Sequence, residues 1–574
     1  MSKVQKEKEK DSPAKSCPPL IIPNKYLTSL LFDKEKEQLC QINQNLTKKI
    51  TKRVCPSLLE IATISGCKVT PTNQILYGTS LCFDLNGLAL AGIDSKTIKQ
   101  LSTNFKITWP WSLTYDSERL GSNKRFVRFP AMIIYPRNEC EVSAIVRFSV
   151  RQNLTLSVRS GGHSYEYFSG ENQVILDTSY LELPRENSCS CSCSHSGDCK
   201  CSQRTKTLLR SQIKIDLKTQ TVEVSAGVRL GVLYAELDKQ GFILSAGICP
   251  SVCIAGLVAG GGLGFFDRAF GFACDSLISV RICIANGQIL TTSLTEFPDL
   301  FQSLHGAGSS YGVLMSFVLQ IRRIPKVISF NLNYDIKDAV SFLVLYQSFI
   351  QTATEKLSGI IANFGLGLPF FFVNGVYIGP IEEIRKLIFD TFGSIPLQSS
   401  TFEEKSFLDI DKALGFEALP LPFYKIRSNA FFSNLSTQDW TAFVNLLSTP
   451  PPKFPHQISA IQVVAYGGAM KRIRIGTGPG SSVIAERFGI GLFQSAIYWD
   501  NQDLNVSSIN FLDTVYQTIR SVTSDIADPN IVDLQLVDYP KSYWGDAVAF
   551  LKATKLKYDP NDVFHFSQSV PLSE

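Results

Sequence analysis

No run in this sequence is apolar for long enough to cross a bilayer, which excludes a helical membrane span. Charge of one sign is lacking too. The 56 basic residues against 51 acidic ones leave a formal charge of +5, with Lys and Arg scattered rather than striped, so the footprint of a nucleic-acid-binding surface is missing. The opening MSKVQKEKEKDSPAK has no apolar stretch of the kind a secretory signal needs, and the chain is expected to be soluble and unexported. Four Asn-X-Ser/Thr sequons, at Asn45, Asn153, Asn434 and Asn505, pull weakly the other way, while the 15 cysteines are an odd total for a fully disulfide-bonded chain. Compartment and oligomeric state stay open. Histidine is scarce, with five in 574 residues, which makes the position of each one informative.

What is present is the composition of a folded protein. Hydrophobic residues at 44% and charged residues at 19% exclude a largely disordered chain, and 574 residues suggest two or three domains. Residues 1–110 read as a charged tail followed by an extension with helical patterning, as in 27–41, and no clear chemistry. From 111 to 325 short β-rich runs (MIIYP, LTLSVRS, QVILDTS, QIKIDL, QTVEVSAG) alternate with helical segments (EVSAIVRFSVRQN, LGVLYAELDKQG), an α+β pattern. Residues 326–525 mix strands and helices again, including IEEIRKLIFDTFG, and 526–574 end in a helix-like run and DPNDVFHFSQSVP. An insertion at 188–206 carries Cys189, Cys191, Cys193, Cys199, Cys201 and His195. Thiolates at that density suit zinc or copper(I), yet the C-x-C spacing and the surrounding Ser, Gly and Lys read equally as a solvated loop, and no metal site is assigned.

Glycine marks the places where chemistry is expected. RSGGHSY, residues 159–165, sets a histidine directly after a glycine pair, where the backbone can approach a ligand and turn amide N–H groups towards an anion. A second dense stretch, SAGICPSVCIAGLVAGGGLGFFDRAFG at 245–271, places a cysteine ahead of a triple glycine. A third, LHGAGSSYGVL, superficially looks like a dinucleotide fingerprint. It follows FPDLFQSL, which reads as helix, whereas that fingerprint must follow a strand and open a helix, so a Rossmann site is rejected.

RSGGHSY, AGICPSV with GGGLGFFDRAFG, DLFQSLHGAGSSYGVL and DPNDVFHFSQSVP occur in the order found in one family. From about Trp109 to the C-terminus the chain resembles the berberine bridge enzyme-like FAD-linked oxidases of the vanillyl-alcohol oxidase superfamily. The resemblance implies a PCMH-type FAD-binding domain of two α+β subdomains at 111–325. It also implies an α+β substrate domain at 326–525, whose antiparallel sheet lies over the flavin, and a segment at 526–574 that returns to the FAD domain. It implies covalent FAD, with His163 bonded to the flavin 8α-methyl carbon and Cys249 to ring carbon 6. Both are nucleophiles able to attack an electron-poor ring. The remaining cofactor contacts it implies are Arg159, Ser160, Gly161, Gly162, Ser164, Gly247, Val252, Gly256, Gly260, Gly261, Gly262, Asn561 and Gln568, with Val252 the small residue that leaves room for oxygen. Cys253 and Leu257 depart from the family, and Cys253 reads either as a competitor for the flavin or as a packed thiol.

The catalytic base is where the pattern breaks. A base must reach the proton it removes, and Arg472 in YGGAMKRIRIG occupies the position of the plant catalytic glutamate, where a guanidinium stays protonated. Three substitutes are expected. Tyr539, in VDYPKSYWG, matches an active-site tyrosine whose pKa a neighbouring Arg472 would lower. Glu486 replaces the histidine of a His-Arg pair, against its plainer reading as a surface carboxylate. Tyr165 matches a residue on the substrate side of the flavin. The aromatics of PFFFVNGVY and PLPFYK read as core. The function expected is an FAD-dependent oxidase. It passes hydride from a hydroxylated small molecule (a sugar, oligosaccharide or secondary metabolite) to FAD and then to molecular oxygen, giving hydrogen peroxide. A degenerate flavoprotein, or a dehydrogenase with another electron acceptor, is the alternative.

Overall fold

The computed structural model describes residues 95–110, 112–184, 212–324, 326–414, 421–472 and 482–572. The expected helix at 27–41 and the cysteine-dense insertion at 188–206 lie outside the described residues. Two compact units are distinguished, 1–104 and 105–574; in the first, the described part is the helix Ser95–Asn104.

The second unit begins with four short strands, β1 (Lys106–Thr108), β2 (Met132–Tyr135), β3 (Leu156–Arg159) and β4 (Val174–Asp177), ordered β1-β2-β4-β3. β2, β4 and β3 run parallel, and every residue of β2 and β4 is buried, as expected of MIIY and VILD strands covered on both faces. The connection from β2 to β3 is the helix Glu139–Arg151. Asn138 caps it by accepting from the Glu141 N–H at 3.0 Å, and Val142, Ile145, Val146 and Ser149 form its buried stripe.

Next come β5 (Ile213–Asp216), β6 (Thr221–Ser225), β7 (Phe242–Ile243), β8 (Leu277–Cys283), β9 (Ile289–Ser293), β10 (Val313–Gln320) and β11 (Arg322–Arg323). Five of them build an antiparallel sheet in the order β5-β6-β10-β8-β9, and β7 pairs with β11 apart from it. FPDLFQSL does form a helix, Pro298–Ser303, and the glycines after it open a single 3-10 turn, which agrees with rejecting a dinucleotide fingerprint.

The third sheet holds β12 (Val327–Asp335), β13 (Leu357–Gly365), β14 (Phe370–Tyr377), β15 (Leu397–Lys405), β16 (Phe423–Phe431), β17 (Gln457–Ala465) and β18 (Gly491–Trp499). It is antiparallel throughout, in the order β15-β12-β14-β13-β17-β18-β16. Helices Ala339–Thr352, Ile381–Phe392, Thr437–Leu447 and Asn505–Arg520 bury one face of it in an apolar core that includes Phe342, Phe364, Trp440, Phe493 and Trp499. The α+β class and the antiparallel third sheet are those the sequence implies.

A line of alternating charges ties the first layer to the third. Arg125 pairs with Glu166 at 2.6 Å, and Glu166 with Lys425. Lys425 then meets Asp533 at 2.5 Å, Asp533 meets Arg427 at 2.7 Å, and Arg427 meets Asp513 at 2.7 Å. The four central members are nearly inaccessible to water. Removing one ion from such a line strands its neighbours in a low-dielectric setting, at a cost of about 3–5 kcal/mol. Urea denaturation of Lys425→Met is therefore expected to show a loss of that order. Lys326→Met, which breaks an exposed pair with Glu404, is expected to leave the midpoint unchanged.

Candidate functional site

The three layers meet at a cavity of about 650 Å³. Its wall is built from loops at strand ends. The turn after β3 supplies Ser160, Gly161, Gly162, His163, Ser164 and Tyr165. The segment leading into the helix Ile254–Ala259 supplies Cys249, Val252, Cys253 and Gly256, with Gly260 just beyond. Gly306, Ala307, Ser309, Ser310 and the late residues Asn530, Tyr543, Trp544 and Gln568 also line it. Gly162 takes a left-handed φ of +70°, which turns the chain so that the following histidine faces the cavity. A Cβ added at Gly256 would meet nothing within 4 Å, so this glycine borders open space.

His163 and Cys249 share this cavity. Burial, helped by the Arg229 charge, lowers the His163 pKa, while a hydrogen bond to the Ser251 backbone orients the ring. The imidazole is therefore neutral and nucleophilic at neutral pH. Tyr165 lines the same cavity, and two further phenols pack against it in series. Tyr165 meets Tyr424 edge-on, with ring centroids 5.7 Å apart, and Tyr424 lies 5.9 Å from Tyr498. The Tyr424 hydroxyl is 2.7 Å from Ser122 Oγ. Desolvation holds all three phenols above their ordinary pKa. Among the described residues lining the cavity there is no Asp, Glu, Lys or Arg.

The FAD that the resemblance implies fits these residues. The volume lies in the range of ligand and cofactor pockets, the glycines leave room for close backbone approach, and Ser169 Oγ on the wall is buried without a hydrogen-bond partner.

Several expected contacts lie elsewhere. The Arg159 guanidinium is used up by Asp177 at 2.6 Å and the Glu118 carbonyl at 2.7 Å, behind the wall. Gly247 is turned inward, its carbonyl accepting from the Tyr234 hydroxyl at 2.5 Å. Gly261 and Gly262 shape a turn at φ of +111° and +89°, their carbonyls taking the Cys274 and Ala273 N–H groups. Asn561 is exposed at the surface.

Tyr539 does not reach the cavity. Its hydroxyl donates to the Ser569 carbonyl at 2.8 Å, and burial with the Asp562 charge raises its pKa. Arg472 lowers nothing there, because it is exposed and paired with Glu355. Glu486 is neither on the wall nor at the surface, being 1% exposed. The Cys253 thiol, pushed up to about 12 by burial, donates to the Gly227 carbonyl at 3.3 Å, as a packed thiol does.

Other residues escaped sequence reading. Tyr424 lies in PLPFYK, which reads as core, and Tyr498 ends a strand of the same type. Tyr543, four residues beyond Tyr539, donates to Gln568 Oε1 at 2.9 Å on the cavity wall. The helical spacing of Tyr539 and Tyr543 was the available signal.

Residues 130–187 and 195–293 match the family described as FAD binding domain, and 529–571 match the family described as berberine and berberine like. A carbohydrate oxidase from Microdochium nivale is 26% identical over 499 residues, covering 80% of this chain and 92% of its own length. A chitooligosaccharide oxidase from Gibberella zeae is 25% identical over 486 residues, with 80% and 91% covered. The solved structure of a Physcomitrella patens BBE-like protein superposes with a TM-score of 0.70 at 23% identity, covering 83% of this chain and all of that one, a likeness of fold.

Gly256→Leu would project its side chain into the cavity without disturbing packed neighbours. Its thermal midpoint is expected to stay near that of the wild type while the ratio of flavin to protein absorbance falls severalfold.

Proposed function

We propose that this chain, an FAD-linked oxidoreductase with matches among berberine-like proteins and carbohydrate oxidases, oxidises a CH–OH carbon of a hydroxylated small molecule and returns the electrons to oxygen as hydrogen peroxide. When bound, FAD supplies the hydride acceptor. His163 and Cys249 are the residues that would hold it covalently. In this reading 111–325 is the FAD-binding part, 326–525 the substrate part and 526–574 the returning segment.

One observation carries the choice of substrate. The face of the third sheet that the helices leave uncovered bears a row of amides. Gln462 Nε2 donates to Asn363 Oδ1 at 2.8 Å, and Asn363 Nδ2 donates to Asn374 Oδ1 at 2.7 Å. Asn331 stands directly across from Asn374, Gln494 from Gln462, and Ser428 from Gln494. With strands about 4.8 Å apart the row spans roughly 24 Å. Side chains alternate along a strand, so Gln494 shares its face with Tyr498, and Ser428 with Tyr424, whose ring packs on Tyr165 of the cavity wall. Amides donate and accept at once, which matches a ligand rich in hydroxyl groups, such as a sugar or an oligosaccharide.

Tyr165 is the base in this reading, since it lines the cavity and Tyr539 does not. Its phenol is raised well above 10, so the reactive anion is a small fraction at neutral pH and grows about tenfold per pH unit. The absence of a carboxylate among the described wall residues favours a second reading, a flavoprotein that holds FAD without turning over.

Acid precipitation tests the cofactor assignment. Yellow colour is expected to stay in the wild-type pellet, weaken in His163→Ala and in Cys249→Ala, and be lost in the double variant. Colour released from the wild type would overturn covalent attachment. A panel of sugars and alcohols, followed by flavin bleaching and peroxide release, tests turnover. Activity is expected to climb from about pH 7 to 9 and to vanish in Tyr165→Phe. Gln462→Ala is expected to lower kcat/KM roughly tenfold, the worth of one hydrogen bond. A flavin that no substrate bleaches would favour the second reading.

A further inference from the structure

The third sheet has two edges, and the rest of the molecule covers one of them. Every residue of β16 after Phe423 is buried, and its backbone is met from outside the sheet: the Tyr424 carbonyl accepts from Asn123 Nδ2 at 2.9 Å, and the Ala430 N–H donates to Ile526 at 2.8 Å. β15 forms the opposite edge with LQSSTFEEK, in which seven residues are exposed and Phe402 and Lys405 are half-buried. Among the described residues it pairs with β12 alone, so alternate residues turn their N–H and carbonyl groups outward without a protein partner. Such an edge is a template for another strand, and natural edges are blunted with proline, inward charge or bulges. β15 has no proline, and the register shift that skips Gln398 leaves Ser399 to Lys405 regular.

The flank of this edge is apolar. Phe402 lies directly across from Phe330, with the rings stacked at 5.9 Å, and so faces the helix side of the sheet. The Arg385 guanidinium, from the helix Ile381–Phe392, covers the Phe402 ring at 5.3 Å. Phe389 is one turn further along the same stripe of that helix and is 73% exposed. A single exposed phenylalanine is ordinary, but this one flanks an open strand edge.

Charge selects the occupant. Both acids, Glu403 and Glu404, stand at the end of the strand, while Ser399, Ser400 and Thr401 carry no charge. A parallel strand of the same sequence would set acid against acid. An antiparallel copy turned about Phe402 sets Glu403 against Thr401, Glu404 against Ser400 and Lys405 against Ser399, so each carboxylate meets a hydroxyl donor and no like charges oppose. Within one copy Glu403 pairs with Lys405, and Glu404 with Lys326 at 2.9 Å, which leaves neither acid to repel the approaching strand.

We propose that β15 is the interface of a two-fold homodimer, in which the Ser399–Lys405 edges of two copies pair antiparallel about Phe402. The two Phe402 rings meet at the dyad with a Phe389 on either side, an apolar centre inside a polar rim. Seven residues at a rise of about 3.4 Å make a seam of about 24 Å, a small interface that associates reversibly. Residues opposite one another in an antiparallel pair share a face. The two open faces, with amide rows that end at Asn331 across from Thr401, therefore lie on one side of the assembly.

Sedimentation velocity of the full chain over about a hundredfold range of concentration is expected to show a monomer–dimer equilibrium. Thr401→Glu sets a carboxylate against Glu403 of the other copy on both sides of the dyad, and is expected to raise the dissociation constant about tenfold, the sum of two like-charged cross-strand pairs. Thr401→Lys sets an ammonium there instead and is expected to lower it severalfold. Because Thr401 is exposed, thermal midpoints of both variants at the lowest concentration are expected to match the wild type. Hydrogen exchange at 399–405 is expected to slow with concentration in the wild type. A wild type that stays monomeric throughout overturns the interface. So does a dimer indifferent to both substitutions, which uses another surface, or one weakened by both, which pairs this edge in another register. Should the Thr401 variants fail to fold, Phe389→Asp decides: loss of the dimer supports the interface and an unchanged dimer overturns it. None of these readouts needs turnover, so they are independent of the oxidase reading.

Discussion

The alternation Arg125, Glu166, Lys425, Asp533, Arg427, Asp513 is the constraint on which the cavity rests. Its members come from the loop before β2, the turn after β3, strand β16, the last long helix of the third layer and the late segment that returns to the first layer. Each inner ion touches two of opposite sign, so none can move without leaving another unpaired in a region water does not reach. The same residues fix cavity groups through their neighbours. Glu166 follows Tyr165 directly, the Asp533 N–H donates to the Tyr543 hydroxyl at 3.0 Å, and the Asp533 carbonyl takes Gln568 Nε2 at 2.7 Å.

Charge is thus kept one layer back from the space it helps to shape. The described wall is glycine, serine, apolar and aromatic residues, two amides and two histidines, with no carboxylate, lysine or arginine, while ion pairs lie behind it. A wall of that kind does not favour one charge state of its occupant by direct pairing. It offers instead a low dielectric in which small differences in placement have large electrostatic effects.

Local chemistry was legible in the sequence wherever it depended on neighbours along the chain. MIIY and VILD announce fully covered strands, and Asn138 ahead of a 3.6-residue stripe announces a capped helix. The glycine pair before His163 announces a turn that presents its side chain. Contacts between distant segments were not legible. Ser122 and Tyr424 are 302 residues apart, and an aromatic in an alternating strand has no feature that separates a cavity wall from a core. Glu486 looks like a surface carboxylate because its sequence neighbours do not reveal that the ends of three strands close over it. Tyr539 and Tyr543 sit one helical turn apart, and only the packing of the late segment decides which of them meets the cavity. The expected glycines divide: Gly161, Gly162, Gly256 and Gly260 line the cavity, whereas Gly261 and Gly262 have the left-handed φ expected of a ligand-hugging loop and spend it on a turn that binds its own backbone.

The late segment has a further consequence, for synthesis. Asn530, Tyr543, Trp544 and Gln568 wall the cavity, and Asp533 closes the ion line, yet all of them follow the three sheets in the chain. A ribosome adding some 5–20 residues per second completes the glycine loops and the third sheet before the residues that enclose the cavity exist. Until then Lys425 and Arg427 lack Asp533 and have only Glu166 and Asp513 as partners, and the nascent chain holds an open trough. Cofactor capture is accordingly set late, after translation has passed the last strand, and a prematurely terminated product would keep its sheets without a closed place to put the flavin.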